Sequence, residues 1–258
     1  SAQIRIGDAP SSVNQADRSV DGNLGAQGTQ CTPSEQLEIA AWGDETAPLL
    51  NQIAANRSGL SGEFDKPDPT AIARAVQFQL YLGFGAEARQ TLRAFDQDQS
   101  ESPVWIALSF LMDGENDPTH HFADQAACDG PAALWAVLAT ENLTTGDVIN
   151  TGALKLSFAA LPLHLRRQLG PVLIEKLLAK KDLATARALS DAIGRTMGQP
   201  TEAMTLANAE MDLSEGTAAL AEEKAEAVLE HPGPNHVEAL ISLAEARVAQ
   251  NLPISPDI

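Results

Sequence analysis

The segment from Leu80 to Leu92, LYLGFGAEARQTL, holds Gly83, Gly85 and Ala88 at the spacing with which dinucleotide-binding loops cradle a pyrophosphate. In such a loop the glycines let the backbone approach the phosphates, and the loop must follow a strand and open a helix. The run VQFQLYL before Gly83 does alternate apolar and polar residues at first. Three features favour a tight bend between two packed helices instead. The segment from Asp68-Pro69 to Leu82 is long enough for a capped helix, and no later run has the character of a parallel strand. Ala88 also has counterparts five residues after Lys181 and after Gly216, at Ala186 and Ala221, where a small side chain lets one helix approach the next.

Other groups with chemical potential are scattered. The pair His120-His121 lies between Asp117 and Asp124, and a helix starting at Pro118 would place His120 and Asp124 one turn apart, a spacing suited to two metal ligands. A metal site needs three or four ligands and no partner motif is present, so the expectation is a capped, partly exposed helix without a metal. His231 and His236 flank the loop PGPN, and His164 sits beside Arg166 and Arg167. There is no HExxH and no GxSxG. Acidic residues are so abundant that none stands out as a general acid or base. The sequence therefore assigns no catalytic residue, no cofactor and no metal.

Cys31 and Cys128 are far apart and form no CxxC, which argues against a zinc knuckle or a dithiol redox site. They are either two buried thiols or one long-range disulfide. The disulfide is the expectation, because Cys31 ends a glycine-rich polar leader that has little else to anchor it. A disulfide implies a periplasmic or extracellular protein; free thiols would leave a cytoplasmic one as the alternative. The chain begins at Ser1 without methionine, which implies a start removed by processing or truncation.

Composition sets the frame for these groups. Of 258 residues, 44% are hydrophobic, mostly Ala and Leu, while aromatics are 4%, which favours closely packed helices over a β-sandwich. The net charge of −18 opposes general binding to nucleic acid or to an anionic membrane surface. No apolar run approaches the roughly 18 residues of a membrane-spanning helix. Basic residues gather at Lys155, Arg166, Arg167, Lys176, Lys180, Lys181, Arg187 and Arg195, and the stretch from Glu202 to Glu230 is strongly acidic.

Residues 1–31, with Gly22, Gly25, Gly28 and only the short run QIRI, predict an extended or disordered arm. Beyond it, proline follows residues able to cap or break a helix at Thr32-Pro33, Asp68-Pro69, Ser102-Pro103, Asp117-Pro118, Gly130-Pro131, Gln199-Pro200 and Gly233-Pro234, which marks helix starts. Turn residues then recur at Gly83, Gly114, Gly146, Lys181, Gly216 and Asn251, separated by 31, 32, 35, 35 and 35 residues. Such a period, with two helices per unit, is the signature of an αα-solenoid. Helices over Pro33 to Trp42 and about Glu45 to Asn56 are expected to cap the first unit, and Ser58 to Pro69 to form a hinge loop.

The runs LIEKLLAKKDLATARAL at Leu173 to Leu189 and ALISLAEARVAQN at Ala239 to Asn251 carry this pattern most clearly, with Leu243-Ala244 where a Leu-Gly pair is usual. The pattern resembles the tetratricopeptide repeat in degenerate form, over roughly residues 68–251. Most units lack its early Trp, its terminal Pro is irregular, and Gly170-Pro171 interrupts a predicted helix. The resemblance implies an all-α, right-handed superhelix of about a dozen helices, with a repeat domain over 32–258. It also implies a non-catalytic module of the cell envelope binding a peptide or protein segment in a concave groove. Arg166, Arg167, Lys176, Lys180, Lys181 and Arg187 are the expected basic contacts, and Trp105 or Trp135 an aromatic anchor if not core. The competing classes are an enzyme or small-ligand protein, which a closed pocket joining a His to two acids would favour, and a structural subunit of an envelope complex.

Overall fold

The computed structural model describes residues 28–57, 60, 68–95, 102–195 and 198–254. The expected arm up to residue 27, and most of the expected hinge at 58–69, lie outside the described residues. The described fold is all helical, with no β-strand. Two 3₁₀ turns, Ser34–Leu37 and Ile39–Trp42, lead into α1 (Leu49–Arg57), α2 (Pro69–Tyr81), α3 (Gly85–Phe95), α4 (Ser102–Met112), α5 (Ala132–Ala139) and α6 (Thr151–Ala160). They are followed by α7 (Leu163–Ala179), α8 (Leu183–Gly194), α9 (Glu202–Glu215), α10 (Ala218–Leu229) and α11 (His236–Ala249).

Gly83 ends α2 in the left-handed region at φ 78°, and Gly114, Lys181, Gly216 and Asn251 repeat this at 71°, 65°, 80° and 57°. At each, two amides return to the helix in the same way: Gly83 N–H donates to Leu80 O and Phe84 N–H to Gln79 O, and Asn251 N–H donates to Val248 O and Leu252 N–H to Arg247 O. This pattern satisfies carbonyls that a helix end leaves orphaned. The pair Gly83-x-Gly85 is thus a helix hairpin and not a phosphate loop. A Cβ at Gly85 would lie 1.9 Å from the Ser109 carbonyl oxygen, so close approach of α3 to α4 explains that glycine. Ala88, Ala186 and Ala221, at the fourth position of α3, α8 and α10, are fully buried.

Helices pack in chain order. α2 touches α4, α4 touches α5, and the series continues through α7, α9 and α11, while α3, α8 and α10 lie against the helices that precede and follow them. One large core runs from Leu37 to Met211 and contains Trp105, Phe122, Trp135 and Phe158. Side-chain oxygens of Asp68, Asn150, Asp182 and Thr201 accept amide hydrogens at the starts of α2, α6, α8 and α9.

Four local expectations need correction. Pro33 to Trp42 forms two 3₁₀ turns, not one α-helix. No helix starts at Pro118. The buried Asp117 carboxylate accepts from Thr119 N–H at 2.8 Å, Thr119 O–H at 2.6 Å and His121 N–H at 3.0 Å, which folds the chain into turns. His120 and Asp124 then lie at φ 53° and 60°, outside any α-helix, so the metal-ligand spacing proposed for them does not arise. Gly146 ends no helix; it lies in the 140–150 loop between α5 and α6. Finally, α7 runs unbroken through Gly170-Pro171. The clash that keeps a residue before proline out of the α region involves its Cβ, which Gly170 lacks.

The segment after α4 stands where other units have a second helix. The Cys31 and Cys128 sulfurs lie at disulfide distance, 1.95 Å. Beside them Thr32 N–H donates to Gln125 Oε1 at 2.7 Å, and Thr32 Oγ1 meets His121 Nε2 at 3.1 Å. Burial holds His121 below the ordinary histidine value, against the opposing pull of Asp117.

Candidate functional site

The turns at Lys181, Gly216 and Asn251 lock three successive helices, α7, α9 and α11, into one register 35 residues apart. Six residues before each turn stands a glutamate: Glu175, Glu210 and Glu245. Because α7 packs on α9 and α9 on α11, equivalent positions come side by side. Glu210 is the middle rung. It forms no hydrogen bond or ion pair among the described residues, and its pKa is pushed up to about 7, first by burial and then by the charges of Glu175 and Glu245. Both causes disfavour the charged form, so near pH 7 the Glu210 carboxyl is divided between its protonated and ionised states. Among the described residues no group of His, Cys, Asp and Glu has the geometry of a metal site.

The basic residues singled out in the sequence are dispersed and mostly engaged. Lys176 Nζ donates to the Thr140 carbonyl at 2.5 Å, and burial lowers its pKa. Lys180 Nζ donates to the carbonyls of Asp147 at 2.5 Å and Thr144 at 3.4 Å. These two lysines fasten the 140–147 loop to α7. Arg187 pairs with Glu215. Lys181 is exposed at its left-handed turn. Arg166 is half-buried, its Nε enclosed without a hydrogen-bond partner, and Arg167 lines a cleft at the other end of α7. At 1.5 Å per residue, about 20 Å of helix separates Arg167 from Lys180, so the cluster is not one patch. Trp105 and Trp135, each 1% exposed, are core residues, which corrects the expectation that either anchors a peptide.

The cleft at Arg167 measures about 530 Å³ and is lined by Asp44, Glu45, Tyr81, Leu163 and His164 among others. It is open, and its polar groups hold the scaffold together. His164 Nε2 bonds the Tyr81 carbonyl at 2.6 Å, and Glu45 accepts from Leu163 N–H at 3.1 Å at the start of α7. Burial, then Glu45 and Asp44, raises the Tyr81 pKa. The closed pocket joining a histidine to two acids, which would have favoured an enzyme, is not formed here.

The turn residues do not reveal the glutamate ladder, although the same 35-residue spacing separates Glu175, Glu210 and Glu245 in the sequence. Compared with family models, with curated proteins and with solved structures, the chain matches none of them.

Proposed function

We propose that this chain is a non-catalytic protein-interaction module, a tetratricopeptide-like αα-superhelix that takes an extended basic segment of a partner along the groove face of α7, α9 and α11. The carrying observation is the ladder Glu175, Glu210 and Glu245, in which the middle carboxylate is half-buried, has no cation beside it among the described residues, and has its pKa pushed up to about 7. An arginine or lysine set between the rungs would relieve that repulsion, and unit spacing along the array suits an extended chain. The proximity of the Cys31 and Cys128 sulfurs supports export to an oxidising compartment, and no described helix is long and apolar enough to cross a membrane.

The test is fluorescence anisotropy with a labelled oligo-arginine peptide. Changing Glu175, Glu210 and Glu245 together to Gln should weaken binding about tenfold, as expected from three partly screened contacts. A control with Glu35, Glu87 and Glu223 changed to Gln, compared above pH 8 where Glu210 is mostly ionised, removes nearly the same net charge from exposed sites elsewhere. Binding should also tighten as pH rises through 7 and Glu210 ionises. Equal loss in both triple variants would reduce the interaction to net charge and refute the ladder.

A further inference from the structure

Five large apolar side chains are exposed on α11 and the turn after it: Val237 62%, Ile241 55%, Val248 61%, Leu252 46% and Ile254 48%. Helical periodicity places Val237, Ile241, Ala244 and Val248 on one stripe, with the exposed Glu238 and Glu245 along one edge. Arg247 borders the other edge but is already held by Glu222 at 2.9 Å and Glu226 at 3.2 Å. The free charge beside the stripe is therefore negative. Among the described residues nothing covers this face.

The covered form of the same face is visible one unit earlier. Leu206 and Ala209 stand 35 residues before Ile241 and Ala244, and they are 7% and 0% exposed. Leu206 packs against Val228 and Ala239, and Ala209 against Ala221 and Ala246. α11 thus covers α9 with two alanines seven residues apart, and the outer face of α11 continues that interface by one step. A second copy of this chain is a poor occupant, because Glu238 and Glu245 would face their own equivalents on a protein of net charge −18.

We infer that the outer face of α11 docks an amphipathic helix of a partner protein, which sets small residues seven apart over Ile241 and Ala244 and presents lysine or arginine to Glu238 and Glu245. The surface meets the glutamate ladder at Glu245, the last rung, but its apolar stripe of Val237, Ile241 and Val248 lies outside the ladder, and the inference stands on that stripe.

The probe is a fluorescein-labelled peptide copying residues 236–250, with Glu238→Lys and Glu245→Lys and an outward hydrocarbon staple to hold it helical. It should bind the full chain saturably, and about tenfold more weakly when the protein carries Ile241→Asp or, separately, Val237→Asp, a difference of about 1.4 kcal/mol. The peptide with its native glutamates should bind more weakly than the lysine form at low salt. Both protein variants alter exposed side chains, and circular dichroism checks that they fold. No binding, or binding unchanged in both variants, overturns the inference. So does a dimer of the protein alone, seen by sedimentation and abolished by Ile241→Asp, since a second copy would then be the occupant.

Discussion

The region from Cys31 to α8 and the three helices α9 to α11 stack in similar order but are held by different means. The first has a continuous core with two buried tryptophans, a loop in place of a second helix, and the Cys31–Cys128 link. The second joins that core only through Met204, Ala207 and Met211 of α9, and beyond them has two small clusters, Leu206 with Val228 and Ala239, and Ala209 with Ala221 and Ala246. Both regions hold ion pairs, Arg89 on Asp113 and Glu115 in the first, and Lys224 on the buried Asp212 with Arg247 on Glu222 and Glu226 in the second; what the second adds is regularity. An irregular unit needs bulk and a covalent staple, whereas a regular one can rely on close alanine contacts repeated at fixed spacing.

Removing the staple should give the largest effect. Cys31→Ser with Cys128→Ser opens a loop with sequence separation 97 and is expected to cost up to about 4–5 kcal/mol in urea unfolding, by the loop-entropy argument. Reduction of the native protein should give the same loss. If stability does not change, the first region does not depend on its staple and that half of the contrast fails.

A paired truncation sharpens the contrast. Leu165, fully buried in the large core, should cost about 3–4 kcal/mol when changed to Ala, and Leu206, in its three-residue cluster, about 2 kcal/mol. Equal losses would mean that the small clusters are as well packed as the large core.

The smallest expected effect depends on pH. Glu210 binds its proton more tightly folded, at about 7, than unfolded, at the ordinary glutamate value of 4.5, so stability should fall as pH rises between those values and level off above. Glu210→Gln should therefore stabilise the protein at pH 8 by roughly 1 kcal/mol, below what the whole shift would give because water still screens the carboxylate, and not at all at pH 4. A gain that is the same at both pH values would place its origin in packing and not in charge.

The regular parts of this molecule were legible in the sequence because each carries its own local signal. Gly83, Gly114, Lys181, Gly216 and Asn251 all end helices as their spacing implies, each in the left-handed conformation, and Ala88, Ala186 and Ala221 are buried at the helix contacts assigned to them. The segment after α4 is not legible in this way, because a buried Asp117 that folds turns has the same sequence appearance as an Asp before a helical proline. The engagement of Lys176 and Lys180 is not legible either, because their acceptors are backbone carbonyls of a loop more than thirty residues away, which no side-chain pattern announces. The glutamate ladder lies between these cases, since its spacing was present but its half-burial required the packing of α7, α9 and α11.

The link between Cys31 and Cys128 makes the intervening chain a closed ring. A protease that cuts once anywhere between these cysteines releases no fragment, because the two pieces remain joined through sulfur. The ring thus converts a single cut from the loss of a segment into a nick, with α2, α3 and α4 still tied to the helices that follow.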